Sequence, residues 1–364
     1  MKWWMLLALA ACGEVSQREV MLAELAPSPA PANNPSTPAK VELGRHLFHD
    51  VRLSAQRNVS CASCHQQARA FSDGIDLSFG TTGARSTRNS MSLVNSGYAA
   101  TLTWMNPLLR DFEAQALVPL VGESPVELGL ANKDALLRAR LLSEPRYPAL
   151  FEAAFPGQAE PYTMQNVAAA LSSFQRTLVS LRAPYDRYLA GDEQALDDRA
   201  QAGLDTFERL GCGACHGGVL LSSAMATPSE GTPVPRFENN GLRADYPLAH
   251  QGLYELSGDP ADLGKFKPPS LRNVALTAPY MHDGSLRTLD EVLDHYARGG
   301  VASASRSVRI TGFELGAEER ANLLAFLASL TDEALLADPR FANPWSATQV
   351  ANMSDGAQLR PIGE

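Results

Sequence analysis

Two five-residue runs, Cys61-Ala62-Ser63-Cys64-His65 and Cys212-Gly213-Ala214-Cys215-His216, constrain this chain more than any other feature. On one helical turn the two thiols of Cys-x-x-Cys face the same side. With a histidine directly after them, they form the attachment signature of a c-type haem: two thioethers to one porphyrin and an imidazole on its iron. Cys-x-x-Cys alone also serves zinc sites and thioredoxin-like dithiols. The following histidine, present in both copies, selects haem. The chain is therefore expected to hold two covalent haem c groups, one through Cys61, Cys64 and His65 and one through Cys212, Cys215 and His216.

Of five cysteines, only Cys12 lies outside these motifs, so none remains for a structural disulfide. Lys2 and a short apolar run, Trp3 to Ala11, precede Cys12. The run is too short to span a bilayer and stands where a targeting segment stands. It resembles a bacterial lipoprotein signal, in which the cysteine becomes the lipidated first residue; an ordinary secretory signal with an incidental cysteine is the alternative. Both export the protein. The expected location is the periplasmic side of a bacterial membrane, with contact to the membrane through the lipid anchor only. A net charge of −9 makes nucleic acid a poor partner.

At 364 residues the chain is long enough for two domains. Residues 1–12 read as the signal and 13–40, rich in Pro, Ala, Ser and Asn, as an extended tether. Residues 41–185 and 186–340 read as an N-terminal, peroxide-binding haem domain and a C-terminal haem domain, with 341–364 as a tail. Each haem motif follows a helical segment, Val41 to Phe48 and Ala200 to Leu210, a weak internal repeat. Apolar spacing predicts further helices over Met164 to Leu181 and Ala317 to Leu330, and over 135–141 and 288–297. Strand-like alternation is scarce, and 24 prolines and 27 glycines indicate long loops. The expected fold is mainly α, two cytochrome c-like haem domains with long irregular loops.

From about Val41 to Leu330 the chain resembles the bacterial dihaem cytochrome c peroxidase and MauG family. The resemblance rests on Leu43-Gly44-Arg45-x-Leu47-Phe48, the two haem motifs, Arg88-Asn89, Gln115-Ala116 followed by Pro119, and Pro125-Val126-Glu127. It continues in Leu271-Arg272-Asn273-Val274 and Ala278-Pro279-Tyr280-Met281-His282-Asp283-Gly284. It implies that Glu127 is the distal acid–base for peroxide cleavage, that Gln115 hydrogen-bonds the peroxide and that Pro119 shapes the pocket. Many family peroxidases close the first haem with a histidine about sixteen residues after the proximal one. Here that position is Thr81, and no histidine lies between His65 and His216. A first iron open to H2O2 without prior reduction is expected, nearer the MauG branch.

For the second iron the resemblance implies Tyr296 as the ligand opposite His216, with Met281 as the alternative. It gives Trp104 a place between the haems, although the family's Trp-Asp-Gly-Arg is Trp104-Met105-Asn106-Pro107 here. It also implies a calcium ion held by Asn89 and the carbonyls of Thr277 and Pro279, and a haem propionate met by Arg272. His282 either faces the edge of the second haem or is a hydrogen-bonded structural residue.

The leading expectation is a MauG-type dihaem oxidase that uses H2O2 to oxidise a Trp or Tyr side chain of an exported partner protein, through oxidising equivalents held on haem. The segment from Trp104 to Leu109 resembles the branch paired with small metal-binding proteins, including the enzyme of methanobactin operons. The alternative is a peroxidase reducing H2O2 to water with electrons from a small cytochrome or cupredoxin. A non-catalytic dihaem electron carrier is the alternative of another class.

Overall fold

The computed structural model describes Ser28 and residues 30–353; Cys12 and the signal segment lie outside the described residues. Eight helices of eight residues or more run through the described part: α1 Pro38–Phe48, α2 Phe112–Val121, α3 Asp134–Leu142, α4 Tyr147–Ala154, α5 Met164–Gln175, α6 Asp198–Arg209, α7 Leu289–Ala297 and α8 Ala317–Ala328. Between them lie one-turn helices and long loops. Extended pairing among the described residues is limited to isolated bridges. The fold is mainly α and cytochrome c-like.

The helix starts are written in the sequence. Thr37 accepts a hydrogen bond from Lys40 N, Thr163 from Asn166 N and Asp197 from Ala200 N, each satisfying an amide that the first turn leaves unpaired. One helix end is not. Apolar spacing continues to Leu181, yet α5 stops at Gln175. Asn95 competes for the chain beyond it: Asn95 N donates to Leu178 O at 2.8 Å, and Asn95 Oδ1 accepts from Ser180 N at 2.9 Å. Leu178 is buried in the core all the same, beyond the end of the helix.

Each haem motif sits beside the same helix crossing. In the first unit α1 packs on α5, and a Cβ on Gly44 would stand 2.0 Å from Ala170 O and 2.9 Å from Phe174 Cβ. In the second α6 packs on α8, and a Cβ on Gly203 would stand 2.0 Å from Asn322 O and 2.8 Å from Phe326 Cβ. A glycine facing a backbone carbonyl, with a phenylalanine four residues after that carbonyl, lets the axes approach in both units. The weak sequence repeat thus marks a shared packing device. Gly203→Ala should lower stability by about 1–3 kcal/mol, because the contact is backbone and cannot swing away. A thermal melt of the holoprotein checks this; an unchanged midpoint would mean that the crossing is loose.

The apolar residues divide into a large first cluster, from Leu43 through Phe174 and Leu178, a second around Phe207, Leu293, Leu323 and Phe326, and a small third of Tyr98, Val219 and Leu220. After α8 the chain returns to the first unit. Leu335, Phe341, Trp345 and Met353 join the first cluster, although the last three fall in the stretch read from sequence as a tail. Trp345 Nε1 donates to His46 O at 3.0 Å, and the Arg52 guanidinium lies 4.9 Å from its ring centroid. Gln67 Nε2 donates to Leu335 O and Asp338 O, beside the first haem motif.

Candidate active site

Cys61–Cys64 forms one helical turn, with the Ser63 hydroxyl accepting from Ser60 N. His65 follows it, its Nδ1 2.9 Å from Phe71 O. That bond places the proton on Nδ1 and leaves Nε2 with a lone pair for a metal. The second motif repeats the arrangement: Gly213–His216 is helical, and His216 Nδ1 lies 3.0 Å from Pro269 O. Burial holds both imidazoles below their usual range, so both are neutral and able to ligate.

Glu127 follows α2 through a turn that folds back on it. Leu128 N donates to Pro119 O at 2.9 Å, and Leu130 N to Leu120 O at 2.8 Å, which sets Glu127 beside Pro119. Gln115 lies one turn earlier than Pro119 on the same face of α2. Proline has no N–H to give the Gln115 carbonyl, so the helix is open there. Burial raises the Glu127 carboxyl above its usual range, and its charge acts on the Cys61 and Cys64 thiols. Among the described residues, Glu127 is thus a half-buried acid at the first haem motif.

Thr81 is 1% exposed and held from three sides. Its N donates to Glu127 O at 2.6 Å, its hydroxyl donates to Asn58 Oδ1 at 2.8 Å, and its carbonyl accepts from Asn58 Nδ2 at 2.9 Å. The segment at Thr81 is thus bound to the loop that carries Glu127.

A cavity of about 520 Å³ opens at the second motif. Cys212, Cys215 and His216 line it, as do Met281 and Tyr296. Both sixth-ligand candidates meet at Asn240, whose Nδ2 lies 3.2 Å from Met281 Sδ and 3.4 Å from Tyr296 Oη. Burial raises the Tyr296 phenol, the Asn240 hydrogen bond lowers it, and the Cys215 and Cys212 thiols act on it. The cavity continues to Asn89, Trp104 and Gln115, toward the first unit. Trp104 Nε1 donates to Asn89 O at 2.8 Å, and Asn89 Nδ2 to Ile75 O at 2.9 Å, leaving Asn89 Oδ1 as an acceptor. Thr277 and Pro279 line the same cavity.

The comparisons with known proteins agree with this geometry. Residues 38–194 match the family model described as di-haem cytochrome c peroxidase. The methylamine utilization protein MauG of Methylorubrum extorquens is 38% identical over 306 residues, which are 84% of this chain and 82% of that protein. Cytochrome c551 peroxidase of Pseudomonas aeruginosa is 32% identical over 80% of this chain and 78% of its own. A solved MauG-like protein, described as associated with microbial copper homeostasis, superposes with a TM-score of 0.84 at 44% identity, covering 89% of this chain and 98% of that one.

The chain belongs to the dihaem cytochrome c peroxidase and MauG family. As a dihaem enzyme of this family it is an oxidoreductase acting on hydrogen peroxide and carries two c-type haems.

The chain's own residues fit those groups. Lys267 is 5% exposed and lines the cavity. Its Nζ donates to Thr101 O at 3.0 Å, a neutral carbonyl, and burial pushes its pKa down to about 8. A buried ammonium beside a cavity suits an anionic ligand, a charge that a haem propionate would supply. Arg272, given that role by resemblance, lines the same cavity and is also held by protein groups. Its Nε donates to Val219 O at 3.0 Å, and its Nη1 lies 2.6 Å from Asp186 Oδ1. It ties the second haem loop to the helix Pro184–Leu189.

Asn240 and Lys267 were not anticipated. Asn240 carries no motif, and its site depends on contacts 41 and 56 residues away. Lys267 had a detectable signal: a lysine two residues after Lys265, inside the apolar approach to Pro268-Pro269.

Proposed function

We propose that this dihaem enzyme is a peroxide-dependent oxidase of the MauG type, exported and lipid-anchored at Cys12, that oxidises a Trp or Tyr side chain of a partner protein. The observation that carries this reading is the Tyr296 phenol, at the second haem cavity with Asn240 donating to its oxygen. When bound, haem supplies the redox-active iron. Burial holds the free Tyr296 phenol above its usual range; the Asn240 hydrogen bond opposes this, and a bound iron would favour the phenolate further, an anionic ligand that favours ferric and higher oxidation states. The chain then stores oxidising equivalents better than it accepts single electrons.

At the first site His65 Nε2 is the proposed iron ligand. Glu127 takes the proton from the near oxygen of peroxide and returns one to the leaving oxygen. The Gln115 amide orients the peroxide, and Pro119 closes the pocket beside it. The bonds that hold Thr81 against Asn58 and Glu127 support an iron left open on that face. Asn89 Oδ1, with the Thr277 and Pro279 carbonyls, is proposed to hold calcium, a hard cation suited to oxygen ligands. Trp104, tied to Asn89 and lining the cavity that runs toward the first unit, is proposed to carry charge between the haems.

The peroxidase reading retains one observation in its favour: Met281 Sδ lies at the same amide as Tyr296. Peroxide added to the holoprotein with a co-exported partner separates the two. The oxidase reading expects a partner Trp or Tyr that has gained oxygen or lost hydrogen by mass spectrometry, and slow turnover with reduced small cytochromes. Fast turnover with a small donor, and no modified partner, would establish the peroxidase.

A further inference from the structure

At the edge of the second haem cavity, which His282 also lines, one group of side chains among the described residues has the composition and spacing of a metal centre. His250, His282 and Asp283 each present a ligand atom, and these atoms lie within 4.8 Å of one another. His250 Nδ1 is 3.1 Å from His282 Nε2 and 4.0 Å from Asp283 Oδ2. Tetrahedral bonds of about 2.0–2.1 Å place ligand atoms roughly 3.4 Å apart. Small side-chain adjustments therefore close the group around one ion.

The ligands are held by other contacts. The His282 ring stacks on Phe266 at 3.8 Å and 12°, and its carbonyl accepts from Asn89 N at 2.8 Å. Asp283 Oδ1 accepts from Ser285 N at 3.1 Å, and Oδ2 pairs with Arg243. His250 closes a short turn in which its N donates to Pro247 O. The surroundings balance in charge: Arg243 and Arg88 face Asp283 and Glu255. His282 and Asp283 are buried, while the His250 side chain is 20% exposed and gives the ion a way in.

We propose that His250, His282 and Asp283 form a further metal site, distinct from the haem irons and the calcium position, for a divalent cation of the zinc or copper(II) class. Two imidazole nitrogens and one carboxylate oxygen suit such borderline ions and reject calcium, which wants six to eight oxygens. Three protein ligands leave a fourth position open to solvent through the side of His250. Arg243 competes with the ion for Asp283 Oδ2, and on binding it turns to water, where its side chain is already 36% exposed.

Zinc is the probe, because it adds no absorption to the haem spectrum. The holoprotein is incubated with excess zinc in millimolar calcium and desalted, and zinc and iron are counted by elemental analysis. One zinc for every two irons is expected. His250→Ala changes a partly exposed turn residue and should weaken zinc binding by about 100-fold or more, beyond what loss of an outer-shell partner costs. Asp283→Asn should also lower retention, and unchanged haem content and circular dichroism show that both variants fold. No retained zinc, or equal retention with His250→Ala, overturns the site and leaves a hydrogen-bonded histidine pair. Neither outcome bears on the oxidase reading, which rests on Tyr296.

Discussion

Glu127→Gln should slow peroxide cleavage by about 10²–10⁴, the usual effect of removing a general acid–base. Glutamine keeps the size of the side chain and the backbone link from Thr81 N to residue 127, so haem content should not change. Stopped-flow mixing with H2O2 measures the rate. The pH dependence provides a second readout. Burial raises the Glu127 carboxyl, so it protonates at a pH above the ordinary carboxylate range. Proton abstraction needs the ionised form. The rate of the unaltered enzyme should therefore fall as pH drops through that raised value, and the glutamine variant should lack this limb. A variant as fast as the parent would move the acid–base role away from Glu127, and Gln115 cannot take it over as an acid.

The second large effect concerns the second haem. Tyr296→Met should raise its reduction potential, within the roughly 0.8 V that axial ligands span. It should also shorten the lifetime of the oxidised state that peroxide produces. Met281→Leu should leave the low-spin haem signal in place. Asn240 donates to both side chains, so each substitution removes one acceptor and leaves the other. Spectroelectrochemistry and electron paramagnetic resonance distinguish them. If Met281→Leu turns that haem high-spin while Tyr296→Met leaves it unchanged, methionine is the ligand and the peroxidase reading gains its strongest support. The diferric protein itself should show one high-spin and one low-spin haem. Two low-spin haems would favour an electron carrier.

The covalent part of this enzyme is local, and local chemistry is legible in sequence. Cys-x-x-Cys-His occupies one helical turn wherever it occurs, so the attachment points of both haems could be read without a fold. Helix starts are also local, because Thr37, Thr163 and Asp197 cap amides three residues away. The ordered motifs that mark the family gave candidate ligands as a set, since their order along the chain is itself sequence information.

Other decisions belong to contacts across long separations. Whether a segment remains helical depends on what competes for its backbone, and Asn95 draws residues 177–181 out of α5 from more than eighty positions away. Trp345 and Phe341 look like tail residues until α1 and Phe71 are placed beside them. Arg272 is marked by its motif, but its partners Asp186 and Val219 O come from distant segments. Lys267, which also lines the cavity, has only a neutral carbonyl as its hydrogen-bond partner among the described residues. A buried charge takes its function from its partner, and the partners of both residues lie far along the chain. The sequence by itself determined which atoms bind covalently and how helices begin. The tertiary structure decided which buried polar groups are satisfied by protein and which are left for a ligand, because desolvation and hydrogen bonding are settled only when distant segments meet.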